Sequence, residues 1–326
     1  MTDLAEDRSS LATGWHDRRR AWRVEDDGPI GTLLSLGICE LDGVIRGERG
    51  AFLEMFEAIG GPAQVVFIGD ERLAPAARVL ADQIRRTDAD RAAMAQDLAE
   101  TFPGGAATPS GADWMFAGAA LNALQASPIT DRYQILTRNS LRVAGPPDAI
   151  ILSLNAEPQT LLRHRRLGYT VHFHSFRMMA AGPALVPWLR ANFEPVRHTV
   201  DNVRADYDGL IDLIHSAAPT AQILVCNVMS TLGYEDIQVY SAFDSPMSGS
   251  LSSVRAKDLN LMLHDLARER DVAIVDADAI AADLGARVCM LDAVHQSGAM
   301  QAEVRAEILR ILRERGVPGF ASRPVS

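Results

Sequence analysis

Two short stretches of this chain carry residues able to do chemistry. The first is Ser35-Leu36-Gly37-Ile38-Cys39-Glu40-Leu41, where an apolar run ends at glycine and a thiol follows at the expected start of a helix. A strand that turns tightly into a helix presents its next side chain at the carboxyl edge of a sheet, where α/β proteins bind ligands. Cys39 reads there in two ways, as a nucleophile or as a small buried hydrophobe. The second stretch is Leu291-Asp292-Ala293-Val294-His295-Gln296, between the last expected strand and the last expected helix. An Asp three residues before a His can turn its carboxylate onto the imidazole. It then fixes the tautomer and supports the imidazolium that forms when the ring takes a proton. Asp212-Leu213-Ile214-His215 has the same spacing but falls inside a long amphipathic pattern, so it reads as structural.

The chain that must position these groups has 326 residues, 48% hydrophobic and 23% charged, enough for one large domain with a full core. Its net charge is −10 and its pI about 5.3. An acidic chain has no electrostatic reason to bind nucleic acid or an anionic membrane. The runs Arg18-Arg19-Arg20 and Arg163-His164-Arg165-Arg166 read as solvated faces, with an anionic-substrate site near the second as the alternative. No stretch approaches the roughly 20 apolar residues of a membrane span. The polar, acid-rich residues 1–28 are no signal peptide and read as an arm ahead of a single domain, 29–326. Three cysteines without a C-x-x-C fit free thiols in a reducing cytoplasm, with no disulfide framework and no cysteine zinc site. No P-loop and no Gly-x-Gly-x-x-Gly follows a strand, so no nucleotide cofactor is expected. Nothing in the composition speaks to oligomeric state.

Apolar runs predict strands at 32–36, 64–68, 148–155, 222–228 and 272–276, with a short extra strand over 169–176. Helical spacing predicts helices over 43–58, 76–87, 92–102, 112–125, 253–270 and 301–315, and long helical stretches over 185–216 interrupted near Pro195. Strands without alternation, each followed by a helix, predict a parallel sheet covered on both faces. The stretches 88–147 and 156–200 read as helical insertions in that α/β domain.

With these elements in place, the chain resembles the SGNH (GDSL-type) hydrolase superfamily. Gly37-Ile38-Cys39 stands at the first block of that family, Gly69 at the second, Ser153-Leu154-Asn155-Ala156 at the third and Asp292-Ala293-Val294-His295 at the last. Gly69, Asn155, Asp292 and His295 match by identity. Ile38 stands for the family's Asp, Cys39 for its nucleophilic Ser, and Ser153 and Ala156 for the Gly and Asp of the third block. The resemblance covers roughly residues 30–316 and implies a three-layer α/β/α, flavodoxin-like fold.

It also implies acyl chemistry on an ester or thioester, with a small-molecule or carrier-bound acyl substrate, no cofactor and no metal. Cys39 would attack the carbonyl and form a thioester. His295 would move the protons and Asp292 would orient it. The Cys39 and Gly69 N–H groups and the Asn155 amide would hold the oxyanion. Hydrolysis and transfer to a second acceptor both remain open, as does a non-catalytic relative that binds an acyl or glycan ligand in the same crevice. His172-Phe173-His174 puts two imidazoles on one face of a strand. With no third ligand at an obvious spacing, His174 reads as substrate-facing or structural, and a metal hydrolase as the minor alternative. Arg177 and Arg163 are candidates for an anionic part of the substrate. Cys226 reads as core, and Cys289 is left open.

Overall fold

The computed structural model describes residues 21–23, 30–37, 39–46, 64–69, 76–102, 129, 133–136, 141–144, 146–172, 185–230, 239–240, 245–246, 252–292 and 295–320. In chain order the elements are β1 (Ala21–Arg23), β2 (Ile30–Leu36), α1 (Cys39–Arg46), β3 (Gln64–Gly69), α2 (Ala77–Arg85) and α3 (Asp88–Thr101). Then come β4 (Tyr133–Leu136), β5 (Leu141–Ala144), β6 (Ala149–Ser153), β7 (Thr160–His164), β8 (Thr170–Val171), α4 (Leu185–Asn192) and β9 (Phe193–Arg197). The remainder is α5 (Val200–Ala217), β10 (Gln222–Cys226), β11 (Val239–Tyr240), β12 (Ser245–Pro246), α6 (Ser252–Glu269), β13 (Val272–Val275), α7 (Ala277–Leu284), α8 (Ala286–Cys289) and α9 (Gly298–Glu314).

Side chains alternate faces along a strand, and here both faces are apolar. Leu34, Ile150, Ile223 and Val272 enter one buried cluster with Leu80 of α2, Tyr207 and Leu210 of α5, and Leu263 of α6. Their neighbours Leu33, Ile151, Leu224 and Ala273 enter another with Leu41 of α1, Ala281 of α7, and Val304 and Ile308 of α9. A sheet that is apolar on both faces needs a helical layer on each, so the fold has three layers. All neighbouring strands of this sheet run parallel. Their order is β13-β10-β6-β2-β3. Numbered along the chain and read from the other edge, that is 2-1-3-4-5, the flavodoxin-like order. The α/β expectation and the covered parallel sheet are therefore borne out.

The order reverses between β2 and β6. From β2 the chain moves outward to β3, then returns past β2 to build the other half. Ligands bind outside the carboxyl ends of the strands at such a switch point. The register aligns those ends. Ser35 is paired with Gly69, Leu36 with Leu152, Ser153 with Cys226, and Cys226 with Val275.

Several elements depart from the sequence reading. The strand expected to reach Asn155 stops at Ser153, and Leu154–Ala156 form one 3-10 turn capped by the Ser153 side chain. The interruption near Pro195 is a strand, β9, antiparallel to β7 with Leu162 paired to Pro195. β9 lies at an edge of the β8-β7-β9 sheet. That is the place in a sheet where a residue lacking N–H is tolerated. Phe193 starts it as a fully buried ring against His164 and Trp188. Helices α7 and α8 were not foreseen. They are short, and the first is capped by Asp276, whose side chain accepts from Ala279 N–H at 2.9 Å. Within residues 1–28, β1 pairs parallel with β4. The helix expected over 43–58 starts earlier, at Cys39, and residues 47–58 lie outside the described residues, as does the 112–125 helix. Among the described residues no helix is long and apolar enough to cross a membrane.

Candidate active site

The edge at the switch point is built first by Gly37. A Cβ there would stand 2.4 Å from Leu41 Cδ1 and 2.6 Å from its Cβ. Only glycine lets the first turn of α1 fold down onto the end of β2. The turn starts α1 at Cys39. The first N–H groups of a helix have no partner inside it and carry the positive end of its dipole, so they face a ligand ready to bind negative charge. Gly69 ends β3 on the same edge. The Cys39 thiol, and His174 and Arg177 entirely, lie outside the described residues.

Asn155 stands across the switch point at the end of β6. Its N–H donates to Ser153 Oγ at 3.1 Å, which fixes the 3-10 turn. Its side-chain nitrogen Nδ2 is buried and has no hydrogen-bond partner among the described residues. A buried amide donor left unpaired costs about 1–3 kcal/mol, and such a group calls for a partner that the described residues do not supply.

His295 and Asp292 occupy the loop between α8 and α9. The loop is pinched at its base. Met290 bridges Gln296, Leu291 N–H donates to His295 O at 2.8 Å, and Ser297 N–H donates to Cys289 O at 2.7 Å. Ser297 then caps α9 through its hydroxyl. Within the loop, His295 N–H donates to Asp292 Oδ1, and His295 Nδ1 stands 2.7 Å from Asp292 Oδ2. The carboxylate therefore faces one ring nitrogen and leaves Nε2 turned away from it, the arrangement a proton carrier needs. The pair is half exposed, 53% and 56%. The same spacing at Asp212 and His215 lies within α5, where Asp212 is bonded to Arg270.

Two groups that the sequence did not single out lie along the carboxyl edge of the sheet. Glu40, 2% exposed, accepts a hydrogen bond from Ser153 Oγ across the switch point. Beyond β10 and β13, Asn227 Nδ2 donates to Asp276 Oδ1 at 2.7 Å and its Oδ1 accepts from Asp278 N–H at 3.1 Å. Asp278 also receives Ser230 N–H and Oγ–H. That network ties the loop after β10 to the start of α7. No motif marks these residues, because their burial comes from packing.

Cys226 is 1% exposed, and burial, with smaller contributions from Glu40 and Asp276, pushes its thiol far above the ordinary range. Cys289 is also buried and its thiol raised by burial. Neither environment supports a reactive thiolate. His172 is buried. Among the described residues no three His, Cys, Asp or Glu side chains are placed to hold a metal ion. Arg163 is exposed and paired with Glu194.

No protein-family model matches the chain, and no curated protein matches it. Among solved structures it is similar to phospholipase A1 from Streptomyces albidoflavus NA297. The TM-score is 0.39 at 11% identity, over 86% of this chain and 98% of that one. It is also similar to a protein described as a GDSL-like lipase from Parabacteroides merdae ATCC 43184. There the TM-score is 0.32 at 12% identity, over 88% of this chain and 96% of that one. Neither likeness is close enough to assign a fold or an activity to this chain.

Proposed function

We propose that the chain is an acyl-transferring enzyme of the SGNH type, acting on an ester or thioester through Cys39, His295 and Asp292. The observation that carries this is the Asp292–His295 pair, with Nδ1 2.7 Å from the carboxylate on a loop after the last sheet strand. Asn155 Nδ2 at the switch point, buried and without a hydrogen-bond partner among the described residues, supports it.

In this reading the Cys39 thiolate attacks the acyl carbonyl, and the carbonyl oxygen takes the negative charge. A free thiol has a pKa near 8.5, so His295 and the first turn of α1 have to stabilise the anion. The Cys39 and Gly69 N–H groups and Asn155 Nδ2 receive the oxyanion, each donor worth about 3 kcal/mol in the transition state. His295 gives its proton to the leaving alkoxide or thiolate as the carbonyl reforms, leaving an S-acyl cysteine. Water or a second acceptor, deprotonated by His295, then takes the acyl group and returns the thiol. His174 and Arg177 are assigned to substrate contact.

The second reading is a binding protein for an acyl or glycan ligand in the same crevice. Ile38 and Ala156, apolar where the resembled family has acids, favour it. Intact-mass measurement separates the two. After incubation with p-nitrophenyl acetate or acetyl-coenzyme A, the chain is expected to gain one acetyl group, mapped to the Cys39 peptide and absent from Cys39→Ala. No gain, or a gain that survives Cys39→Ala, leaves the binding reading.

A further inference from the structure

β2 and β6 hand the chain to two different parts of the candidate oxyanion pocket, Cys39 at the start of α1 and Asn155 in the 3-10 turn. A side-chain link spans the switch point between them. Glu40 follows Cys39 directly and is 2% exposed. Its Oε1 accepts from Ser153 Oγ, 113 residues away in sequence. Ser153, also 2% exposed, ends β6 and caps the turn, receiving Asn155 N–H at 3.1 Å on the same oxygen.

A hydroxyl has one proton to give. With that proton held by Glu40, the Ser153 lone pairs face the turn and take the Asn155 N–H. The turn is then fixed, and Asn155 Nδ2 is left buried with no partner among the described residues. An acceptor at position 40 thus decides which way the hydroxyl points. Its place in the first turn of α1 couples that choice to the Cys39 N–H.

We infer that Glu40 is a positioning residue that holds both halves of the oxyanion pocket, the Cys39 N–H through α1 and the Asn155 amide through Ser153. This rests on the acyl-transfer reading above. Leucine at position 40 would fill the space and leave the hydroxyl free to rotate. Glutamine keeps an acceptor oxygen in the same place.

The test compares Glu40→Ala, Glu40→Gln, Ser153→Ala and Asn155→Ala, and the Glu40→Ala/Asn155→Ala double variant. Two readouts are taken on each folded protein. One is the rate of Cys39 acylation by p-nitrophenyl acetate, and the other its alkylation by iodoacetamide, which passes through no oxyanion. Glu40→Ala and Ser153→Ala are each expected to slow acylation about 100-fold, with Glu40→Gln within about threefold of the parent chain. Alkylation is expected to change less than about twofold, and the double variant to be slower than Asn155→Ala by less than the factor that Glu40→Ala costs in the parent chain. Additive losses, equal losses of acylation and alkylation, or a Glu40→Gln as slow as Glu40→Ala would overturn the inference.

If the parent chain is never acylated at Cys39, it is the proposed function that fails. The Asn155 side-chain amide signal in a 15N spectrum then decides the positioning role alone. It is expected to persist in Glu40→Gln and to shift and broaden in Glu40→Ala and Ser153→Ala. A signal unchanged in both alanine variants refutes positioning.

Discussion

His295→Ala is expected to lower kcat/KM for an activated acyl ester by about 1,000- to 10,000-fold, the loss typical when a proton carrier is removed beside an intact oxyanion pocket. The unfolding midpoint is expected to move by less than about 1 °C. The stability expectation follows from exposure. The imidazole is 53% and its carboxylate partner 56% exposed, so their ion pair contributes little to folding. The loop is held instead by main-chain bonds at Leu291, Ser297 and the Met290–Gln296 bridge, which the substitution leaves in place. Asp292→Asn is the sharper variant. Its Oδ1 still accepts His295 N–H, so the loop keeps its shape. Its other end presents an amide where Nδ1 meets Oδ2, which offers the ring the wrong tautomer. Steady-state kinetics with p-nitrophenyl acetate beside thermal melts check both. A loss below tenfold for His295→Ala, with the fold intact, would remove His295 from the chemistry.

The second large effect concerns Glu157, two residues beyond Asn155. Its carboxylate is completely buried. Oε1 accepts Ala77 N–H at 2.7 Å, so Glu157 caps α2 from a distant part of the chain, where Ala76 supplies no side-chain cap. Oε2 stands 3.6 Å from His198 Nδ1, and His198 Nε2 lies 2.8 Å from Asp206, which Arg78 grips with its Nε. Arg255, its own guanidinium pushed down by burial, donates to Pro158 O at 3.0 Å. Burial raises the Glu157 carboxyl from 4.5 to about 7, against the opposing pull of His198 and the Ala77 N–H.

The sign follows from that direction. Between these two values the folded chain holds a proton that the unfolded chain has lost. Glu157 therefore contributes stability that is fully present below about pH 4.5 and is lost as pH rises through about 7. The size is about 3 kcal/mol, or about 4 °C in Tm for a chain of this length. Glu157→Gln keeps the cap on Ala77 without the titration, so its stability is expected to fall less between pH 4.5 and pH 8 than that of the parent chain. Glu157→Ala is expected to cost about 3 kcal/mol or more, since it orphans the Ala77 N–H and leaves His198 and Arg255 short of a buried carboxylate. Urea unfolding at the two pH values measures both. Parallel pH dependence in the parent chain and Glu157→Gln would show that the group does not titrate in this range.

The five strands of the main sheet were legible because each is apolar on both faces. Ala149–Ser153, buried throughout, has only one way to satisfy its backbone and hide its side chains. The helices over 76–87, 253–270 and 301–315 were legible from their apolar spacing, and α2, α6 and α9 lie there, with α9 starting three residues earlier than that spacing indicates. The Asp292–His295 pairing was legible because three residues of loop are enough to close it.

What lay beyond the sequence depends on partners from far along the chain. The Pro195 stretch read as a broken helix and is an edge strand, because β7 offers Phe193 a buried place beside His164 and the sheet edge spares Pro195 a hydrogen bond. Asn155 read as strand and sits in a turn, because Ser153 caps it. Glu40 and Glu157 carried no signal at all. An acid in a sequence is ordinarily a solvated one, and only packing could bury these two. By itself the sequence determined the covered parallel sheet and the Asp292–His295 pairing, since hydrophobic periodicity and short-range hydrogen bonding act within a few residues. The tertiary structure alone decided the 2-1-3-4-5 order, the meeting of β2 and β6 at the switch point, and the Glu40–Ser153 link across it. Those depend on which distant segments exclude water from one another, and no local pattern encodes that.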